Sequence, residues 1–169
     1  SICRDNCKLQ VTGSGVAGVA ALKKEFGLPF AGRFSGTVPW TFALDLGDAS
    51  PGWTAESSLE GTAIDLPAPL GKAADGSTRL RVVRTPRPGG ADYVSVSYGD
   101  ILDATLRRRP GADGTQVTEQ ALVELGTARG AALPARLDHP GLWVRGSLRD
   151  VDLDRWLAEL KREFGAPAG

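Results

Sequence analysis

The chain has no methionine, one histidine, two cysteines and two tyrosines in 169 residues. Each scarcity excludes a class of chemistry. His139 sits beside Pro140 in a turn, and no G-x-S-x-G element supplies a nucleophile for it, so a Ser-His-Asp triad has no basis. Cys3 and Cys7 cannot complete a zinc site without other ligands, and His139 is remote in sequence. Across a turn made by Arg4-Asp5-Asn6 the two cysteines could form a disulfide. On one continuous strand they would stand about 13 Å apart and could not. They allow an oxidising compartment without establishing one. No run of eighteen apolar residues is present to cross a bilayer as a helix. No leader with a basic start and a hydrophobic centre is present either. If the parent protein is membrane-anchored, the expectation is that this chain is a soluble piece cut from it, and the missing methionine also fits a fragment.

Charge of one sign is also missing. Lys plus Arg and Asp plus Glu are 20 each, for a formal net charge of zero. A nucleic-acid partner would call for a basic excess, so none is expected. The only tight basic run, Arg107-Arg108-Arg109, precedes Pro110-Gly111-Ala112-Asp113-Gly114 and reads as a solvated strand end rather than a phosphate patch.

What is plentiful is turn chemistry, with 22 glycines and 11 prolines. Between the turns the apolar residues alternate, which describes strands with one apolar face. Trp40, Phe42, Leu44 and Leu46 alternate with Thr41, Ala43 and Asp45. Trp53 to Leu66 is a longer extended run in which Leu59 and Ile64 fall on opposite parities, so a bulge or bend near Gly61 is expected. Leu80 and Val82 carry the next strand. Residues 93–98 and 101–106 form a hairpin around Gly99-Asp100. Val117, Ala121, Val123 and Leu125 share a face, with Glu119 as a blemish on it. Leu142, Val144 and Leu148 make the last strand. Lys8 to Thr12 is a further strand before a short helix from Val16 to Phe26, stopped by Gly27 and Pro29. Asp152 caps a second helix of about twelve residues, with Leu153, Trp156, Leu157 and Leu160 as its apolar stripe. The expected architecture is mainly β: one domain over residues 1–169, a curved, twisted antiparallel sheet with a groove-like face and a short helix near each end.

Several stretches imitate functional motifs. Gly13-Ser14-Gly15-Val16-Ala17-Gly18 matches G-x-G-x-x-G between a strand and a helix, as in a dinucleotide-binding turn. The acidic residue required about twenty positions later is missing, since Leu28 to Val38 holds none. Asp150, Asp152 and Asp154 resemble the opening of a calcium loop, but Arg155 and Lys161 stand where glycine and glutamate are needed. Lys72 lacks the upstream glycines and following hydroxyl of a phosphate loop. Trp40, Trp53, Trp143 and Trp156 read as core aromatics more readily than as ligand-stacking residues. No cofactor and no metal site is expected.

Two further stretches carry a resemblance. One is Leu59-Glu60-Gly61-Thr62-Ala63-Ile64-Asp65-Leu66-Pro67-Ala68-Pro69-Leu70-Gly71-Lys72, and the other runs from Gly141-Leu142-Trp143-Val144-Arg145-Gly146 to Trp156-Leu157. With Phe34-Ser35-Gly36-Thr37-Val38-Pro39-Trp40, they resemble the repeated-strand region of the YhdP-like family. These are relatives of AsmA and TamB, large bacterial envelope proteins implicated in moving phospholipid between the inner and outer membranes. Residues 1–30 match weakly. The resemblance implies a non-catalytic segment of a periplasmic bridge, with phospholipid and neighbouring segments of the parent chain as partners and contact with the membrane only through the parent. It also implies an apolar groove for acyl chains, for which alternation selects Trp40, Phe42, Leu44, Leu80, Val82, Val94, Val96, Leu102, Leu106, Val117, Val123, Leu142 and Val144. The alternatives are a scaffold module of the same protein and a small dinucleotide-dependent enzyme using Gly13 to Gly18.

Overall fold

A computed structural model describes residues 9–21, 31–46, 51–112, 114–126 and 139–165. They form one open mixed sheet of nine strands and a C-terminal helix, with a helical segment at residues 19–21 near the N-terminus. The strands are β1 (Gln10–Gly18), β2 (Phe34–Asp45), β3 (Gly52–Ser57), β4 (Thr62–Ile64), β5 (Leu80–Pro86), β6 (Asp92–Tyr98), β7 (Leu102–Pro110), β8 (Gln116–Gly126) and β9 (Gly141–Ser147). The helix α1 covers Leu153–Phe164. Across the sheet the order is β1-β2-β3-β5-β6-β7-β8-β9, and the short β4 pairs with the start of β2. Neighbours are antiparallel except β8 and β9, which run parallel.

The expected strands are present, with three departures that have clear causes. First, the run from Trp53 to Leu66 is not one bulged strand. The chain leaves the sheet after Ser57, turns through Leu59 (φ 52) and Gly61 (φ 83), and returns as β4 against β2. A Cβ at Gly36, the neighbour of Thr62 across that pairing, would lie 2.1 Å from the Gly61 carbonyl oxygen, so this crossing is built on glycine.

Second, residues 16–18 are strand and not helix. The glycine motif lies wholly on β1, with Gly13 opposite Phe42, Gly15 opposite Trp40 and Gly18 opposite Thr37. Helical backbone begins only at Val19, and the rest of the expected helix, including Leu22 and Phe26, lies outside the described residues. Gly15, at the centre of the motif, has a packing reason. The Trp40 indole lies over β1, and a Cβ at Gly15 would come within 2.9 Å of its ring. That arrangement removes the phosphate-cradling turn on which the dinucleotide reading depended. Cys3 and Cys7 lie outside the described residues.

Third, β8 carries a bulge. Arg107 pairs with Gln120 and Arg108 with Thr118, so Glu119 is the extra residue. The bulge moves Glu119 to the side of Arg107 and Arg109, with which it forms ion pairs at 3.7 and 3.6 Å. The blemish in the alternation is thus the point at which the alternation resets.

Helix α1 begins as the sequence indicates, with the Asp152 carboxylate accepting from the Arg155 backbone N–H at 3.0 Å, and it stops at Gly165 (φ 79). Its docking is not through the expected leucine stripe. Leu153, Leu157 and Leu160 are exposed, and the helix is fastened by polar contacts. The Trp156 indole donates to the Ala68 carbonyl at 2.9 Å, and Arg33 holds Glu159 through Nε and Nη2 at 2.6 to 2.9 Å.

The core is small and sits at one end of the sheet. Leu59, Ile64 and Tyr98 are buried, with Phe34, Val38, Leu66, Leu70, Leu80, Ile101 and Leu102 against them. Residues 58–72 make this cluster by folding over the sheet. The loop is pinned by Lys72, whose ammonium donates to the carbonyls of Leu59, Thr62 and Ala73 at 2.8, 2.5 and 2.9 Å. Tyr98 donates to the Leu70 carbonyl at 2.9 Å. Replacing Lys72 by Met keeps the aliphatic stem but takes from the Thr62 carbonyl its donor and from the Leu59 and Ala73 carbonyls a charged one, leaving these two only the backbone N–H groups of Thr62 and Gly76, so Lys72→Met should cost about 2 kcal/mol. A urea-denaturation midpoint unchanged from the parent chain would refute this role.

Candidate functional site

Strand pairing fixes which side chains share a face. One row runs Val11, Leu44, Trp53, Arg84, Val94, Leu106, Ala121, Leu142 from edge to edge. The next runs Gly13, Phe42, Ala55, Val82, Val96, Ala104, Val123, Val144. A third brings Leu80, Tyr98, Leu102 and Leu125 together. Because side chains alternate along each strand, these rows lie on the same side of the sheet. The register therefore gathers Trp40, Phe42, Leu44, Leu80, Val82, Val94, Val96, Leu102, Leu106, Val123, Leu142 and Val144 onto one face.

Val117 does not join them. It pairs with Arg109 beyond the bulge, and the reset places it on the opposite side. Trp53, Ala55, Ala104 and Ala121 belong to the apolar face and were missed. Trp53 and Ala55 carried the period-two signal but stood in a run that was read across the turn at Gly61.

None of the twelve residues on this face is buried. Leu142 and Val144, on the edge strand β9, are 67% and 60% exposed, and Trp40 is 37% exposed. The others are half-buried. Nor is any of the four tryptophans buried, against the expectation that they form the core. Among the described residues, the loop over Leu59 and Ile64 covers the end of the face at Tyr98 and Leu102, and the rows from Phe42 to Val144 stay accessible. Phe42 and Trp53 lie side by side there, with ring centroids 5.9 Å apart.

The opposite side of the sheet is polar. Arg79 and Arg81 converge on Glu56 at 2.7 and 2.9 Å, and the hydrogen bond from Arg79 holds this carboxyl below its ordinary range. Arg145 pairs with Glu124, and Arg107 and Arg109 with Glu119. An open concavity of about 710 Å³ lies on this side, lined by residues such as Arg79, Arg81, Ser97 and Asp103. An extended apolar face is not a cavity, so this volume is separate from it. The exception on the polar side is around β8, where Leu122 and Gln120 are buried and the Gln120 amide donates to the His139 carbonyl at 3.2 Å. Among the described residues, no group of three or more His, Cys, Asp and Glu side chains could hold a metal ion.

At the end away from the loop, the apolar face meets an ionic cluster. Asp92, with no exposed surface, accepts from Arg108 through Nε and Nη2, both at 2.7 Å, and from Arg84 Nε at 2.5 Å. Arg84 also donates to the Pro51 carbonyl at 2.8 Å. The expected solvated arginine run is therefore split. Strand alternation turns Arg108 to the apolar side and its two neighbours to the polar side. Burial opposes ionisation of Asp92, but the hydrogen bonds from Arg108 and Arg84 outweigh it and hold the carboxyl below its ordinary value. The cluster was legible in part: Arg84 has the parity of Leu80 and Val82, and Asp92 that of Val94 and Val96.

Among the described residues the arrangement is a two-faced sheet with one side apolar and, away from the loop, uncovered. The family model described as YhdP protein matches residues 3–168, and the chain belongs to that family. The family is AsmA-like and associated with the bacterial envelope. No curated protein and no solved structure matches the chain at a significant level. No described helix is long and apolar enough to cross a membrane.

The Asp92 geometry fixes a sign for pH dependence. A carboxyl whose folded-state pKa is lowered stabilises fully above the unfolded value of about 3.9. That contribution is lost as pH falls through the lower folded value. Asp92→Asn should cost about 3 kcal/mol at neutral pH, because it strands two guanidinium groups, and should flatten the acid limb of the stability profile. Denaturation midpoints between pH 7 and pH 2 test both effects. Parallel profiles for the two proteins would rule the cluster out as a stabilising element.

Proposed function

We propose that this chain is a non-catalytic segment of a periplasmic bridge that carries phospholipid between the inner and outer membranes, with acyl chains lying on the apolar face of the sheet. The observation that carries the reading is the apolar face running across strands from β2 to β9, uncovered among the described residues, in a chain of an envelope-associated family. An apolar face of this extent without a second layer favours a hydrophobic occupant.

The magnitude suits transfer rather than storage. A buried methylene contributes about 0.8 kcal/mol, and a chain on an open face buries about one side. A tail of about sixteen carbons then gains roughly 6 kcal/mol, an affinity of tens of micromolar. Such a tail is held out of water yet leaves readily. Partners under this reading are phospholipid and neighbouring segments of a longer parent chain, which would pair with the edge strands β1 and β9. The membrane is reached through the parent alone.

The test is native mass spectrometry of the chain purified without detergent from bacterial lysate and membranes, with lipid extraction. Phospholipid should co-purify. Leu142→Glu combined with Val144→Glu alters two exposed positions of the apolar face, so folding should persist while bound lipid falls severalfold. Val117→Glu, on the opposite side, should leave the lipid content unchanged. A lipid-free mass for the parent chain would favour a module that only spaces the bridge.

A further inference from the structure

Among the described residues the apolar face has one charged feature, and its charge is not balanced. Two guanidinium groups, Arg84 and Arg108, meet the single carboxylate of Asp92, leaving the cluster at +1. Each guanidinium has five N–H donors. Arg84 uses one at Asp92 and one at Pro51, and Arg108 uses two at Asp92. Three N–H groups on each arginine therefore have no partner among the described residues. The side chains are only 20% and 26% exposed, so they have given up much of their water without replacing it in full.

We propose that the free donors of Arg84 and Arg108 seat the phosphate group of an anionic amphiphile whose hydrocarbon lies on the neighbouring apolar rows. The proposal rests on the lipid reading above and adds where the headgroup sits. The position is suitable. Arg84 lies directly across the pairing from Val94, which pairs in turn with Leu106, so a group held by Arg84 has apolar neighbours. From Asp92 to Tyr98 is six residues along β6, about 20 Å of strand. The hydrocarbon of one bilayer leaflet is about 15 Å deep. A tail running inward from the cluster thus ends before the closed core at Tyr98. Two guanidinium groups suit a tetrahedral oxyanion, which offers acceptors to both. Asp92 holds the arginines in place and cancels one charge, so binding adds an anion to a site with room for one.

Calorimetric titration of the intact chain with three probes tests this: monomeric short-chain phosphatidic acid, diacylglycerol of the same chain length, and inorganic phosphate. Phosphatidic acid should bind about tenfold tighter than diacylglycerol, the equivalent of one charge-assisted hydrogen bond. Inorganic phosphate, lacking a tail, should bind far more weakly than either. Arg84→Gln leaves Arg108 bidentate on Asp92, so the fold should hold; it should abolish the preference for phosphatidic acid and leave diacylglycerol unchanged. The lipid comparison on the unaltered chain decides the matter without any variant. Equal binding of the two lipids would overturn the headgroup seat while leaving the apolar face as a lipid surface. Inorganic phosphate binding as tightly as phosphatidic acid would replace the amphiphile with a free-anion site. Binding of neither lipid would remove both readings.

Discussion

Everything described here depends on a continuous backbone ladder that keeps its register across eight strands. Each pairing carries the side-chain parity of one strand into the next, so a choice made at Phe42 is transmitted to Ala55, Val82, Val96, Ala104, Val123 and Val144. A slip of one residue at any step would send every later apolar side chain to the other side. The one register shift among the described pairings, at Glu119, lies near the strand end, beyond Ala121, where it sends only Val117 to the other side and turns a carboxylate towards two arginines.

The covered part of the sheet follows from a single excursion. Residues 58–79 leave the ladder between β3 and β5, and their apolar members cover only the end at Tyr98 and Leu102. Lys72 helps to hold it by donating to the Thr62 carbonyl and adding a charged donor to those of Leu59 and Ala73, which also accept from the loop's own backbone. A longer excursion could have roofed the whole face and produced an ordinary two-layer domain. The short one leaves a core of a few residues and an apolar surface beside it.

Strands with one apolar face were legible because period-two alternation is local: each strand states its own parity, and twelve of the residues chosen on parity meet on one side. What was not legible was non-local. Val117 has the parity of Val123, and only the pairing of Arg107 with Gln120 and Arg108 with Thr118 shows that the count restarts between them. The glycine motif at Gly13 to Gly18 looked like a phosphate turn because the geometric reason for Gly15, the Trp40 ring, lies more than twenty residues away. The arginine run looked solvated because its partner for Arg108, Asp92, arrives from the preceding strand. The leucines of α1 looked like a docking stripe because amphipathicity does not say whether a partner is present.

The parallel pairing of β9 has a mechanical result. Running alongside β8, β9 delivers the chain to the closed end of the sheet, and α1 then returns towards the first strands. Trp156 is fastened to Ala68, and Glu159 to Arg33, just before β2. From β2 to β9 is six strand steps, about 29 Å if flat. The helix itself is about 18 Å long. The chain from Ser147 to Glu159 thus ties the last strand back to the start of β2 by a route outside the backbone ladder.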